Sequence, residues 1–138
     1  MTRLRLTARY RFSASHRLAT PALSAEENRR VYGKCNNPYG HGHDYVLEVS
    51  VEGPVAEDGQ LVRRDDLDAL VADHVLALLD HKDLNTDVAG FSGRVTTTEN
   101  LAAVVRAQLE QHWTLAPRLA GLRISETPRN TFSWEGSR

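Results

Sequence analysis

Residues 3–16 alternate strictly between apolar and polar side chains. Four arginines, one threonine and two serines occupy one face, and the other face carries Leu4, Leu6, Ala8, Tyr10, Phe12, Ala14 and His16. Because successive side chains of a strand point to opposite sides of the sheet, this pattern predicts a half-buried β-strand. The predicted strand ends with a histidine on its buried face.

A second segment with the same alternation, HDYVLEVSVEG, covers residues 43–53. Its apolar face consists of Tyr45, Leu47, Val49 and Val51. Counting back by twos adds His43 and His41 to that face, just where the strand begins. If the two strands pair antiparallel, His16 meets both of these histidines at one end of the buried surface, and we expect three imidazoles to converge.

Helical patterns follow each of the two strands. Ser24 and Glu27 have the spacing of a capping box ahead of a short helix that Gly33 can end. A longer helix is predicted near residues 66–79. Its apolar residues recur at i, i+3 and i+4, which indicates one face packed against the sheet.

A second long helix is predicted to begin in TTTEN, where Thr96 and Glu99 again have capping-box spacing. Two more strands are predicted, over residues 121–127 and 130–136. The order is β-β-α-α-β-β, which predicts an α+β fold with a four-stranded antiparallel sheet covered on one face by two long helices. One domain is expected to span residues 1–138.

Composition argues against several classes of protein. The 138 residues carry a formal net charge of -1, without the basic excess typical of nucleic-acid or membrane-surface binding. No window approaches the roughly 20 apolar residues of a membrane helix, and the N-terminal segment lacks the apolar core of a signal peptide. A single cysteine cannot form an intrachain disulfide. We therefore expect a cytoplasmic protein with no nucleic-acid or membrane partner.

The converging imidazoles predict a metal site. Three neutral imidazoles without a fourth protein ligand form an open zinc site, in which water or substrate takes the remaining position. His-x-His alone is a weak signal, because polar strand ends would also explain it. Burying His16, His41 and His43 against apolar faces without a ligand is costly, which favours the metal site.

Cys35 lies six residues before His41, in a loop rich in glycine and asparagine. A free cysteine is more often simply a small buried apolar residue. Beside a metal or an imidazolium, however, the pKa of a thiol falls toward the thiolate form. The thiolate could then be a fourth metal ligand, which would close the site, or a base beside it. The spacing leaves both roles open.

Three carboxylate or imidazole side chains are further candidates. Asp80 and His81 are adjacent at a predicted helix end, where neighbours point about 100° apart and need not touch the same partner. A capped, charged helix end explains them at least as well. Glu126 follows Leu122 and Ile124 on a buried face. A buried carboxylate needs a partner, which could be a ligand with paired N–H donors or an internal arginine.

The segments FSASH, LSAEEN, YGKCNNPYGHGH, LLDHKDLN, TTTEN and SET follow one another in this order. With them the chain resembles the 6-pyruvoyltetrahydropterin synthase family, over nearly its whole length from Phe12 to Glu135. The most specific element is the loop in which five residues separate Cys35 from HGH. The related 6-carboxytetrahydropterin synthases typically have three residues there, so the spacing favours the pyruvoyl-forming branch.

The resemblance implies the tunnelling fold, in which two trimers stack into a homohexamer around a barrel. It implies a zinc-dependent carbon–oxygen lyase that converts 7,8-dihydroneopterin triphosphate to 6-pyruvoyltetrahydropterin with loss of triphosphate. The alternatives are a 6-carboxytetrahydropterin synthase of queuosine biosynthesis, a sepiapterin-cleaving enzyme, and a non-catalytic pterin- or metal-binding module.

The resemblance also implies a role for each candidate residue. Cys35 would be the general base and would work with Asp80 and His81, supplied by a neighbouring subunit. The zinc ligands implied are His16, His41 and His43. The substrate-binding residues implied are Glu126, which would anchor the pterin ring, and Thr97 and Thr98.

The basic residues of the chain raise two further points, one at the start of the first long helix and one about the triphosphate. Arg63 and Arg64 stand where the family usually has Asp or Asn followed by a large apolar residue, which puts the packing of the helix start in question. The triphosphate requires cations. The candidates for that role are Lys34, Arg17, Arg9 and Arg11.

Overall fold

The structure is a computed structural model that describes residues 2–37, 40–91 and 93–137. Met1 and Arg138, the ends of the predicted domain, lie outside the described residues. So do Pro38 and Tyr39 of the loop between the cysteine and HGH.

The two alternating segments form the centre of the sheet, as predicted. β1 (Arg3–His16) and β2 (His41–Pro54) pair antiparallel along their whole length, with His16 opposite His41. The alternation fixes this register, because a shift by one residue would turn every apolar side chain toward solvent. The histidines therefore lie at one end of the buried face.

The described residues form a sheet of five strands, so the predicted four-stranded sheet is wrong in number. β3 (Lys82–Asp83) has only two residues and pairs parallel with the end of β1. β4 (Arg118–Thr127) and β5 (Asn130–Glu135) are the two predicted C-terminal strands, and both pair antiparallel. The order is β3-β1-β2-β4-β5. Two residues are too few to show an alternation, so the sequence contains no signal for β3.

α1 (Ala25–Tyr32) begins at the predicted capping box. The side chain of Ser24 accepts the N–H of Glu27, and the Glu27 carboxylate accepts the N–H of Ser24. Gly33 follows with a φ of 54°, a conformation that glycine adopts without steric cost. A 3₁₀ turn, Gly33–Asn36, continues directly and carries the cysteine.

The helix predicted near residues 66–79 consists of three consecutive segments. They are α2 (Arg64–Val71), a π-helical turn (Ala72–Leu76) and α3 (Ala77–Leu79). The predicted stripe is buried at Leu67, Leu70, Val71, Val75 and Leu79. The π-helical turn was not predicted, because one turn of i→i+5 bonding leaves no distinct spacing of apolar residues.

The two arginines at the start of α2 are accommodated by polar contacts. Arg63 takes the N-cap position without a side-chain hydrogen bond. Arg64 donates from Nε to the Asp68 carboxylate at 2.8 Å and lies over the ring of Tyr10. The Tyr10 hydroxyl donates to the same carboxylate at 2.7 Å. The helix start is thus tied to β1 by charge and hydrogen bonding instead of by an apolar side chain.

α4 (Thr98–His112) is the second long helix, and its predicted cap is wrong by one residue. The N-cap is Thr97, whose hydroxyl oxygen accepts the N–H of Asn100 at 3.2 Å. Thr96, the predicted partner of Glu99, is buried instead, and its carbonyl faces β1. Three consecutive threonines are equally good caps, so spacing alone could not choose among them.

The two long helical segments, residues 64–79 and α4, pack on one face of the sheet and share one core with it, as predicted. The other face of β1 is exposed at its arginines. In the described ranges, none of the helices has both the length and the apolar character needed to span a bilayer.

His81 is the one non-glycine residue with a positive φ, at 60°, in the described part of the chain. Its N–H donates to the carbonyl of Ser13 at 2.6 Å, which holds this backbone against β1. A left-handed φ costs a residue with a Cβ roughly 1 kcal/mol. We therefore expect His81→Gly to be more stable than His81→Ala by about 1 kcal/mol in urea unfolding. Equal stabilities would show that the conformation is not strained.

Candidate metal centre

Three imidazoles meet at the end of the β1–β2 pair, as the alternation predicted. The ring centroid of His16 lies 5.0 Å from those of His41 and His43, which are 4.3 Å from each other. The Nε2 atoms of His41 and His43 are 2.6 Å apart. Cross-strand pairing produces this arrangement, because neighbouring positions on one face of an antiparallel pair lie close together.

His16 is oriented by a backbone carbonyl. Its Nδ1 lies 2.8 Å from the carbonyl oxygen of Thr96, just before α4. Donation of the Nδ1 proton to that carbonyl leaves the Nε2 lone pair facing the other two rings. Nε2 is buried and has no hydrogen-bond partner. A metal ion would satisfy this atom, whereas an ordinary core histidine would leave it unpaired at a cost.

Cys35 completes the cluster. Its Sγ lies 3.5 Å from Nε2 of His41, and the ligand atoms of the cysteine and the three histidines are within 4.8 Å of one another. The 3₁₀ turn is held in place because the carbonyl of Cys35 accepts the N–H of Leu18 at 2.5 Å. Imidazole and thiolate are ligands typical of transition metals. This group could therefore hold a metal ion.

Glu126 reaches the same cluster from β4. Its Oε1 lies 2.8 Å from Nε2 of His43 and 3.5 Å from Nε2 of His16. No arginine in the described ranges pairs with it, so the internal-arginine alternative is wrong. Oε1 is buried without a well-aligned hydrogen bond, which leaves the carboxylate able to accept N–H donors from a ligand.

Burial shifts the pKa of three side chains in this cluster. It raises the pKa of the Cys35 thiol, and the charge of Glu126 raises that pKa further. It lowers the pKa of His41 and of His43. The lowered pKa of these two imidazoles favours their neutral form, which is the form that binds a metal. The thiol, in contrast, requires a nearby cation to become a thiolate at neutral pH.

The Glu126→Gln variant is expected to have a lower thiol pKa at Cys35, because a negative charge that opposes the thiolate is removed. The pH dependence of iodoacetamide alkylation of the metal-free protein would measure it. The matched control is Glu135→Gln, in which the lost carboxylate pairs with Arg5 instead. An unchanged or higher thiol pKa in Glu126→Gln would contradict this electrostatic account.

Asp80 and His81 contact β1 at Ser13, at the edge where β3 pairs with it. The carboxylate of Asp80 accepts the N–H of Ser13 at 2.9 Å, and Nδ1 of His81 is 3.1 Å from the same oxygen. The Ser13 N–H, with help from His81, holds the pKa of Asp80 below its usual value. The two residues thus join the β1 edge opposite β2. Neither side chain contacts the cysteine among the described residues, and the His81 side chain is 82% exposed.

Thr97 and Thr98 lie beside the cluster at the start of α4. The hydroxyl of Thr97 caps the helix, whereas the hydroxyl of Thr98 is buried and without a hydrogen-bond partner. Neither hydroxyl contacts Glu126 in the part of the chain that the structure describes. The two threonines therefore adjoin the site through their neighbour Thr96, whose carbonyl holds His16.

Asn85 helps to position the site and was missed by sequence reasoning. Its Oδ1 accepts the N–H of Arg17 at 2.7 Å, and its Nδ2 donates to the Arg17 carbonyl at 2.9 Å. The hydroxyl of Thr96 lies 3.5 Å from the same Oδ1. The amide thus fastens the residue after His16 to the start of α4. Only its place at the end of LLDHKDLN marked it in the sequence.

The fold and the site together define an α+β domain with a histidine–cysteine cluster that could hold a metal ion at the end of two paired strands. Residues 5–137 match the family described as "6-pyruvoyl tetrahydropterin synthase". The chain belongs to this family, which confirms the resemblance found in the sequence.

Named relatives agree with this assignment. The chain is 45% identical over 132 residues to the 6-pyruvoyl tetrahydrobiopterin synthase of Dictyostelium discoideum, with 95% of each chain covered. It is 38% identical to the human protein of the same name, over 95% of this chain and 90% of the human one. The solved structure of Caenorhabditis elegans 6-pyruvoyl tetrahydropterin synthase superposes with a TM-score of 0.90 at 35% identity, over 99% of this chain and 98% of that one.

Proposed function

We propose that this protein is a zinc-dependent lyase that converts 7,8-dihydroneopterin triphosphate to 6-pyruvoyltetrahydropterin and triphosphate. The observation that carries the proposal is the convergence of His16, His41 and His43, with the Cys35 sulfur 3.5 Å from Nε2 of His41. The names of the family and of its relatives supply the product. The substrate is the one that the resemblance in the sequence implies.

The three histidines would hold the zinc and leave one coordination position for the substrate. The unpaired, buried Nε2 of His16 supports a ligand role for that residue. A bound zinc lowers the pKa of a coordinated hydroxyl and polarises an adjacent carbonyl. An open position is typical of catalytic zinc sites, whereas a thiolate as fourth ligand would close it. We therefore assign to Cys35 the role of general base.

The protein side chains would hold the pterin and move its protons. Glu126, whose buried carboxylate oxygen has no well-aligned hydrogen bond, would accept the N–H edge of the pterin ring. Cys35 as thiolate would remove protons from the side-chain carbons of the substrate. The conversion needs no external oxidant or reductant, since hydrogen from the side chain ends on the pterin ring while triphosphate leaves.

The assembly would bring Asp80 and His81 to the base of a neighbouring subunit. Their exposed position on the β1 edge, away from Cys35 of the same chain, supports this arrangement. β3 covers only Ala14 and Ser15 of that edge, and β5 is the last strand at the other edge. Open strand edges are sites for pairing with another chain, as a homohexameric barrel requires.

Whether two subunits contribute to one active site can be tested by mixing two variants that are each inactive. Cys35→Ala and His81→Ala are each expected to be inactive alone, since each lacks one part of the proton relay. If the parts come from different subunits, dissociating and reassociating the mixture should recover part of the activity. Reassociated hexamers without recovered activity would contradict the shared site.

The activity itself is tested by following triphosphate release from 7,8-dihydroneopterin triphosphate. The zinc-loaded protein is expected to release it, and the chelator-treated protein is expected to stop doing so until zinc is restored. Equal release with and without metal would contradict the proposed role of the cluster.

A further inference from the structure

A positively lined cleft lies directly behind the turn that carries Cys35. Its volume is about 300 Å³, and its lining residues are Arg17, Ala25, Arg29, Gly33, Asn36 and Asn37. Two guanidinium groups and no carboxylate are among them. Guanidinium groups are suited to phosphate oxygens because their planar N–H donors match two oxygens at once.

Two residues of the cleft directly follow members of the histidine–cysteine cluster in the chain. Arg17 immediately follows His16, and Asn36 immediately follows Cys35. Nε of Arg17 donates to the carbonyl of Asn36 at 3.2 Å, which joins the two segments. The Asn36 side chain is buried and donates to the carbonyl of Leu18 at 2.8 Å. The wall of the cleft is therefore held in place before any ligand binds.

The two arginines are not neutralised by carboxylates. Neither Arg17 nor Arg29 forms an ion pair with an acidic side chain in the described ranges. Glu27, the acidic neighbour on α1, uses its carboxylate in the capping box with Ser24. Both positive charges remain available for a ligand anion.

The other cavities are less suited to an anion. The cavity at the end of β1 beside β3 includes His43, His81 and Lys82, but the carboxylates of Asp44, Asp83 and Asp87 also line it. The groove along α4 and β5 has two arginines but also two glutamates. The cavity at Arg3 and Arg5 includes a glutamate and lies at the other end of β1, roughly 40 Å along the strand.

We infer that the Arg17–Arg29 cleft binds the triphosphate of the substrate while the pterin side chain lies at the metal centre. This inference rests on the proposed function, because it takes the substrate from it. The inference also ranks the basic residues that the sequence suggested for binding the triphosphate. Arg9 and Arg11 point to the exposed face of β1, away from the histidines, and Lys34 does not line the cleft. Arg29 was not among the sequence candidates.

The test compares Arg29→Gln with Arg30→Gln in the full zinc-loaded protein. Both residues are exposed neighbours on α1, and only Arg29 lines the cleft. Calorimetric titration with inorganic triphosphate is expected to show binding about tenfold weaker for Arg29→Gln, and little change for Arg30→Gln. The KM for 7,8-dihydroneopterin triphosphate should rise in the same variant, with a smaller effect on kcat.

Equal triphosphate affinities in the two variants would overturn the inference. The inference would also be overturned if the wild-type protein turned over the substrate but did not bind inorganic triphosphate. Titration with triphosphate requires no turnover. A protein that binds triphosphate through Arg29 but does not convert the pterin would therefore contradict the proposed function and leave the cleft assignment standing.

Discussion

The His41→Ala variant is expected to lose zinc and to have no detectable turnover. His41 is central to the cluster, with its Nε2 2.6 Å from that of His43 and 3.5 Å from the sulfur of Cys35. Loss of an outer partner of a metal ligand typically costs 10- to 100-fold in affinity, so loss of a ligand should cost more than about a hundredfold. Competition with a chromophoric chelator would measure the affinity.

The matched control for this variant is His74→Ala. His74 stacks on His112 with ring centroids 3.8 Å apart, outside the cluster. Its loss also removes an imidazole and a ring contact but should leave the zinc affinity unchanged. Wild-type zinc affinity in His41→Ala, with the variant folded, would contradict the assignment of the metal centre.

The second large effect is expected from Cys35→Ala, which should retain zinc and lose turnover by roughly 10²- to 10⁴-fold, the usual contribution of a general base. The three imidazoles suffice to hold the metal, whereas no other described side chain next to the cluster offers a thiolate. Zinc content and kcat should be measured on the same sample.

Cys35→Ser distinguishes the chemistry of the sulfur from its volume. The hydroxyl has nearly the size of the thiol but is a much weaker acid, so its turnover should fall as in Cys35→Ala. Loss of zinc from both variants would instead show that the thiolate is a metal ligand. Turnover close to wild type in either variant would contradict the role of Cys35 as base.

The histidine cluster could be predicted from sequence because two simple regularities act together. The period of two in a strand determines which face His16, His41 and His43 occupy. The match of the two alternating segments determines the register that brings them to one end. The capping box at Ser24 was predicted for a similar reason, since both partners lie within one turn of the chain.

Other features depend on contacts between distant segments, which a single sequence does not encode in its spacing. β3 exists because residues after α3 meet the end of β1, and Asn85 acts through Arg17, which is 68 positions away. The same holds for Glu126, whose imidazole partners come from other strands. The choice of Thr97 over Thr96 as cap depends on the carbonyl of Thr96 being turned toward His16.

The cleft at Arg17 and Arg29 shows the same limit at the level of function. The sequence indicated that cations were needed but did not rank them, because charge alone does not say which face of an element a residue occupies. Packing of α1 against the turn that follows it brings Arg29 beside Arg17.

The central claim is the conversion itself, and mass spectrometry of the products tests it most directly. Zinc-loaded protein would be incubated with 7,8-dihydroneopterin triphosphate, and products would be trapped under reducing, oxygen-free conditions. The account predicts a 6-pyruvoyl product together with one equivalent of triphosphate. A 6-carboxy product with acetaldehyde, or unchanged substrate, would contradict it.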